Sequence, residues 1–246
     1  MGRRSKAARA AKAKRQSAAR EARNRNWLRH WPYLAFGGVV VGLVAALFLV
    51  GIGGSPSASE VEASYPVGYT PPAVGADSAP VEMVMWGDFQ CPFCRRFDLV
   101  TLPALLDRYG ATGELRVVWR NFENYGLESH DAAVAAHCAG EQDNFWEYHR
   151  TLYENQRGVN TGAFGTASLQ RYADEVGLDR VAFDTCLAGT GYDAVISADK
   201  KLGRSQGVSS TPTFFINGEK IVGAQPTETF GILIETTLSE IEQSQD

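Results

Sequence analysis

The longest apolar run of the chain lies near its N-terminus. From Trp31 to Gly54 there is no charged residue, and the stretch Leu34–Val50 consists only of Leu, Ala, Phe, Gly and Val. About 20 helical residues at 1.5 Å each reach roughly 30 Å, the thickness of bilayer hydrocarbon. The pattern predicts a transmembrane helix over 31–54. Trp27, Trp31 and Tyr33 stand at its N-terminal edge, where amphipathic rings favour the membrane interface. Residues 55–76 show neither helical nor strand periodicity. They are rich in Ser, Pro, Ala and Gly and read as an extended linker.

Further along, the apolar positions change period several times. Val81–Trp86 is a short apolar run before turn residues and predicts a buried strand. A helix is expected from Cys91 to Tyr109, closing at Gly110, with a kink at Pro103. Leu115–Arg120 predicts a second strand. Helical spacing then takes over. The Ala-rich segment His130–Gly140 has Ser129 as its expected N-cap. Phe145–Gln156 is aromatic and amphipathic. Leu169, Tyr172, Ala173 and Val176 share one helical face. Asp179 should cap a helix whose face carries Phe183, Cys186 and Leu187, and another helix is expected from Tyr192 to about Gly203. Strand chemistry returns at Thr213–Ile216 and Lys220–Val222. The Asn217-Gly218 pair between them suits a type I′ hairpin turn. Phe230, Leu233, Ile234, Leu238 and Ile241 form the stripe of a final amphipathic helix. The body therefore reads as an α/β domain over 77–243, with a helical insertion over 124–206.

Charge sets the orientation. The formal net charge of −4 conceals a basic head: residues 1–30 hold eleven of the 24 Lys and Arg but one of the 28 acidic residues. The first sixty residues after the span are poor in Lys and Arg. The positive-inside rule then places residues 1–30 in the cytoplasm as a basic tail and the body outside, in a single-pass arrangement at the cell membrane. A cleaved signal peptide is the rival reading, but its apolar core should be only 7–15 residues long. Either way the body is exported. Nucleic-acid binding is not expected, because a folded basic face is missing and the body is acidic.

Four cysteines occur in 246 residues, too few for a disulfide-stapled scaffold. Two form Cys91-Pro-Phe-Cys94, placed where a strand gives way to a helix. The first thiol then lies at a helix N-terminus, where free N–H groups and the helix dipole stabilise a thiolate. Pro92 costs no hydrogen bond in the first turn. Cys91 is expected to be the exposed, low-pKa nucleophile and Cys94 the shielded resolving thiol. A zinc site is disfavoured: Cys138 and Cys186 are 48 residues apart and lack knuckle spacing, so no metal is expected. Asp88 reads as a solvated turn residue, with an influence on thiol pKa as the alternative. His130 and His137 read as structural, and His149 falls in the same insertion. Phe93 is expected to be exposed in the turn and to meet substrate. Trp86, Trp119 and Trp146 read as core.

Phe89-Gln-Cys-Pro-Phe-Cys94 after a strand, Ser209-Ser-Thr-Pro-Thr213 before a hairpin, and an insertion carrying Cys138-Ala-Gly and Phe145-Trp-Glu-Tyr-His149 resemble the DsbA-like thioredoxin-fold disulfide oxidoreductases. The resemblance covers roughly residues 77–243. It implies a thioredoxin-like fold, a cis peptide at Thr211-Pro212 facing Cys91–Cys94, and substrate contacts from Thr211, Pro212 and Phe93. It implies no cofactor. Its partners would be reduced exported proteins and a quinone-linked thiol oxidase in the membrane. Cys138 and Cys186 are expected to form a structural disulfide, with a second redox pair as the alternative. Disulfide formation is the favoured direction. Reduction, isomerisation, maturation of one client and a non-enzymatic peptide-binding chaperone role remain open at this point.

Overall fold

The computed structural model describes residues 65–66 and 68–244. The predicted basic tail (1–30), the membrane span (31–54) and the first part of the linker lie outside these residues. No helix among the described residues is long and apolar enough to cross a membrane.

Five strands form one sheet in the order β1-β3-β2-β4-β5. They are β1 (Ala73–Val74), β2 (Val81–Gly87), β3 (Leu115–Asn121), β4 (Thr213–Ile216) and β5 (Glu219–Val222). The central pair β2–β3 is parallel and the other pairings are antiparallel. The register places Met83 beside Val117 and Ile216, and Met85 beside Trp119 and Phe214. These six side chains are buried on one face, because residues two apart on a strand point the same way. Phe97, Phe214 and Phe230 lie within 4.4–5.1 Å of one another, centroid to centroid, and fix two helices on this face.

The first of those helices, α1, runs from Pro92 to Gly110. It is α-helical at Pro92–Arg96 and Leu102–Leu105, with wide π turns at Phe97–Thr101 and Leu106–Gly110. The kink expected at Pro103 thus takes the form of a π turn just before it. The Leu102 amide reaches back five residues to Phe97, as π turns do. The insertion carries α2 (Leu127–Gly140), α3 (Phe145–Glu154), α4 (Thr166–Glu175), α5 (Arg180–Leu187) and α6 (Asp193–Ser205), and α7 (Thr227–Gln243) closes the fold. Asp179 caps α5 by accepting from the Ala182 amide at 2.9 Å. Asn217 and Gly218 both have positive φ in the hairpin turn, as a type I′ turn requires.

Two local expectations fail. The linker is not wholly without strand structure: Ala73–Val74 pairs with Val118 and Val117 at the sheet edge. An open edge offers unpaired backbone groups to any adjacent extended segment, which alternation over two residues cannot announce. Ser129 is not the N-cap of α2. The helix starts at Leu127, after Gly126 with φ 98°, and the buried Ser129 hydroxyl instead donates to Asp88 at 2.7 Å.

On the second face of the sheet, a polar cluster gathers round Asp199, which is fully buried. Its carboxylate accepts from Arg120 (3.0 Å), the Tyr65 hydroxyl (2.6 Å), and the Asn121 backbone (2.8 Å) and side-chain (2.7 Å) nitrogens. His137 sits 2.9 Å from Asn121 and stacks on Tyr192. Burial pushes its pKa down to about 3, so it is neutral. His130 bridges Glu123 and Asp193. His149 is buried against Asp98 at 2.8 Å, among Phe89, Trp119 and Tyr153. Trp86 and Trp119 are core residues, whereas Trp146 is only partly buried.

Cys138 of α2 and Cys186 of α5 are disulfide-bonded, 48 residues apart. Closing a loop of that length restricts the unfolded chain by about 4 kcal/mol. Replacing both cysteines with alanine is therefore expected to lower unfolding stability by a similar amount. Urea denaturation of the two full-length proteins would show it, and an unchanged midpoint would refute it.

Candidate active site

Strand β2 ends at Gly87, and the turn Asp88–Gln90 delivers Cys91 to the start of α1. The Trp119 ring lies so close to Gly87 that a Cβ there would meet it at 2.4 Å, so only glycine fits. Trp119 in turn packs against Phe89 at 5.0 Å. Cys91 occupies the N-cap with extended dihedrals (φ −75°, ψ 120°), and Pro92 follows in the first turn. Cys94, one turn on, lies beneath it. The pair is in the dithiol form.

The two thiols are strongly differentiated. Cys91 is pulled down from 9.0 to about 6, chiefly by the hydrogen bond from Cys94, against the opposing effect of burial. The Thr211 side chain and the Cys94 and Phe93 amides add to the depression. Cys94 is pushed well up by complete burial, with its hydrogen bond to Cys91 and the nearby charge of Cys91 adding to the shift. The nucleophile predicted as exposed is not: Cys91 has 0% of its surface accessible. The loop before β4 reaches over it, and the Cys91 thiol donates to the Thr211 carbonyl at 3.3 Å. The Thr211–Pro212 peptide in that loop is cis. Phe93 is 56% exposed on the same rim, with the Arg96 guanidinium 5.7 Å from its ring centroid.

Asp88 corrects the solvated-turn reading. It is 2% exposed and accepts from the Asn124 amide (2.6 Å), the Ser129 hydroxyl (2.7 Å) and the Gln90 amide (2.8 Å). Burial raises its pKa, and these donors oppose the rise. A buried carboxyl needs such partners. They come from the segment after β3 and from α2, which a local reading of the Asp88 turn does not include.

Several other site residues escape sequence reasoning for the same cause. The insertion grips the turn at many points. Gln156 donates to the carbonyls of Phe89 (2.6 Å) and Cys91 (3.2 Å). Gln90 is buried, and its side-chain oxygen accepts from the Asn160 amide at 2.5 Å. The Tyr153 hydroxyl donates to the Asp88 carbonyl at 3.2 Å, and Arg95 donates to the Tyr153 carbonyl at 2.8 Å. The only sequence signal for these was a polar, Gly-bearing loop after an aromatic helix. His130 and His137 are not brought to the thiols. No cluster of His, Cys, Asp and Glu suited to a metal occurs among the described residues.

The description of the family named Thioredoxin matches residues 69–236. The chain belongs to the thioredoxin family. Its DsbA-like character follows from the relatives. The probable disulfide bond formation protein D of Bacillus cereus is 30% identical over 154 residues, which cover 61% of this chain and 71% of that one. A protein named Na(+)/H(+) antiporter NhaA 1 from Salinispora arenicola is 32% identical over 167 residues, covering 67% of this chain. This thioredoxin-family chain spans only 24% of that antiporter's length. Among solved structures, BdbD from Bacillus subtilis superposes with a TM-score of 0.65 at 24% identity, covering 69% of this chain and 93% of that one. Wolbachia pipientis α-DsbA1 gives 0.66 at 22%, covering 76% and 99%. At that identity the two structures speak for the fold: a thioredoxin-like α/β domain with a helical insertion.

Proposed function

We propose that the chain is an extracytoplasmic thiol–disulfide oxidoreductase that forms disulfides in reduced exported proteins. In this reading it is tethered by residues 31–54, with residues 1–30 in the cytoplasm. The observation that carries it is the pairing of a low-pKa Cys91 with a fully buried, high-pKa Cys94 under the Thr211 loop.

A substrate thiolate attacks Cys91 Sγ of the oxidised pair, and the Cys91–Cys94 bond breaks. Cys94 leaves as a thiolate and takes a proton, as its raised pKa favours. The second substrate thiolate attacks its partner sulfur in the mixed disulfide. Cys91 departs as the better leaving group, because leaving thiols of lower pKa depart faster. The substrate gives up two electrons, and the dithiol form holds them. Thr211 and Pro212 line the approach to Cys91, and exposed Phe93 meets the substrate or the membrane partner. A quinone-linked thiol oxidase in the membrane would then remove the electrons from the dithiol.

Linkage supports that direction. Folding lowers the Cys91 pKa, so it stabilises the reduced form. That stabilisation is complete above the ordinary thiol value of 9.0 and is lost as pH falls through about 6. At pH 7 the folded, reduced chain therefore holds Cys91 largely as thiolate, which shifts the couple toward a stronger oxidant.

The test is the equilibrium potential of Cys91–Cys94 against glutathione, with refolding of a reduced, denatured disulfide protein. A potential near the −120 mV typical of DsbA, roughly, with refolding driven by the oxidised chain, is the expected result. One near the thioredoxin figure of about −270 mV would make the chain a reductant. Neither refolding nor reduction of a substrate disulfide would leave a binding module.

A further inference from the structure

The Cys91–Pro92 peptide has no N–H, because proline lacks one, so its plane can be held only through the Cys91 carbonyl. That carbonyl accepts from the Arg95 amide at 3.1 Å, which closes the first turn of α1, and from Gln156 Nε2 at 3.2 Å. Gln156 Nε2 also donates to the Phe89 carbonyl at 2.6 Å. Both partners only accept, so the amide nitrogen of Gln156 must face them, one hydrogen to each. The Phe89–Gln90 peptide is held from its other side as well, where the Gln90 amide donates to the Asp88 carboxylate at 2.8 Å. The tie is returned in the opposite sense. The buried Gln90 side chain accepts from the Asn160 amide at 2.5 Å and donates to the Ser129 hydroxyl at 2.9 Å. A glutamine just past α3 thus grips the backbone of the turn, and a glutamine in the turn grips the backbone of the loop after α3. Gly158 and Asn160, with φ 111° and 52°, give that loop its sharp reversal.

We propose that Gln156 and Gln90 form a reciprocal clasp that positions Cys91, so that the helical insertion sets the reactivity of the nucleophile. The proposal rests on the assignment of Cys91 as that nucleophile. The backbone of Cys91 (φ −75°, ψ 120°) decides where its sulfur lies relative to the start of α1. Free N–H groups and the helix dipole stabilise a thiolate only within the first turn, so rotation at this residue would forfeit that stabilisation. Gln156 restrains the rotation by holding the carbonyl of the Cys91–Pro92 peptide. Its two N–H groups also set their positive ends against the carbonyls on either side of Gln90. Gln156 bonds to the backbone and acts on the sulfur through it, which makes it a positioning residue. The titratable and charged groups around Cys91 are Cys94 and Arg95 from α1, Asp88 from the turn, Tyr125 from the segment after β3 and Tyr153 from α3. None of them is altered when either glutamine is replaced.

The experiment is the pH dependence of iodoacetamide alkylation at Cys91 in the reduced full-length chain, with ultraviolet thiolate absorbance as a second readout and Cys91→Ser as the blank. The wild type should titrate near 6. Gln156→Met keeps the length of the side chain and removes the donor, so its midpoint should rise by about half a pH unit to one unit, the worth of a lost hydrogen bond. Gln156→Glu puts a negative acceptor in place of the donor and should raise the midpoint further. Gln90→Met should shift it in the same direction. The double variant should shift by less than the sum of the two, because either loss opens the clasp. Tyr148→Phe serves as the control. It removes the bond from the Tyr148 hydroxyl to the Leu169 carbonyl, 2.8 Å long and internal to the insertion, and should leave the midpoint where it was. An unchanged midpoint in Gln156→Met with a wild-type midpoint near 6 overturns the positioning role while leaving Cys91 as nucleophile. A rise of equal size in Tyr148→Phe would mean general loosening of the insertion and overturns it too. Fully additive shifts overturn the reciprocity. A wild-type midpoint near 9 overturns the assignment of Cys91, and this proposal with it.

Discussion

Cys91→Ser is expected to reduce disulfide transfer to the uncatalysed rate, while Cys94→Ser accumulates covalent adducts with substrate. A serine hydroxyl at position 91 cannot form the mixed disulfide, so both exchange steps disappear. The consequence at position 94 is different. The reduced Cys94→Ser protein keeps the low-pKa thiol, since a serine hydroxyl preserves a hydrogen bond to the Cys91 thiolate in place of the Cys94 thiol. It can still attack a substrate disulfide, but no internal thiol remains to release the product. Refolding rates would show the first effect. Non-reducing electrophoresis after mixing with an oxidised substrate would show the second. Residual catalysis by Cys91→Ser would place the nucleophile elsewhere. A reactive Cys94→Ser protein that forms no adduct would remove Cys94 as the resolving thiol.

The second large effect lies far from the thiols. Asp199→Ala is expected to destabilise the domain by about 3–5 kcal/mol, because it leaves the Arg120 charge buried without its partner. Tyr65 and both Asn121 nitrogens lose their acceptor as well. Single domains are stable by only about 5–15 kcal/mol, so roughly a fifth or more of the total would go. Asp199→Asn, which keeps an acceptor oxygen, should fall between the two. Urea unfolding of the full-length proteins decides this. A loss below about 1 kcal/mol in the alanine variant would mean that the cluster is solvated like a surface ion pair.

What the sequence made legible was local. The strand Val81–Trp86, the hairpin at Asn217-Gly218 and the cap at Asp179 each depend on a few neighbouring residues, and each stands where expected to within a residue or two. The Cys91–Cys94 turn is legible for the same reason: a helix start and a three-residue spacing are enough to order the two thiols. Long-range features were not. The burial of Asp88 depends on Asn124 and Ser129, 36 and 41 residues away. The covering of Cys91 depends on Thr211, 120 residues on. No periodicity links such positions. The strand at Ala73–Val74 exists because β3 has an open edge, a property of the sheet and not of those two residues. The passage of α1 through Pro103 was legible, but its π turns at Phe97–Thr101 and Leu106–Gly110 were not, because the apolar spacing alone does not distinguish a wide turn from an α-helical one.

The grip of Gln156, Tyr153 and Asn160 on the Cys91 turn bears on how divisible the domain is. In outline the insertion looks like an accessory that a shorter ancestral version could lack. Trimming the chain to its five strands, α1 and α7 would keep both thiols and the loop before β4. It would also leave the carbonyls of Phe89 and Cys91 without their donor and strip Asp88 of the Ser129 hydroxyl. The catalytic turn is shared property of the two halves, so the smallest unit that preserves its chemistry is the whole domain.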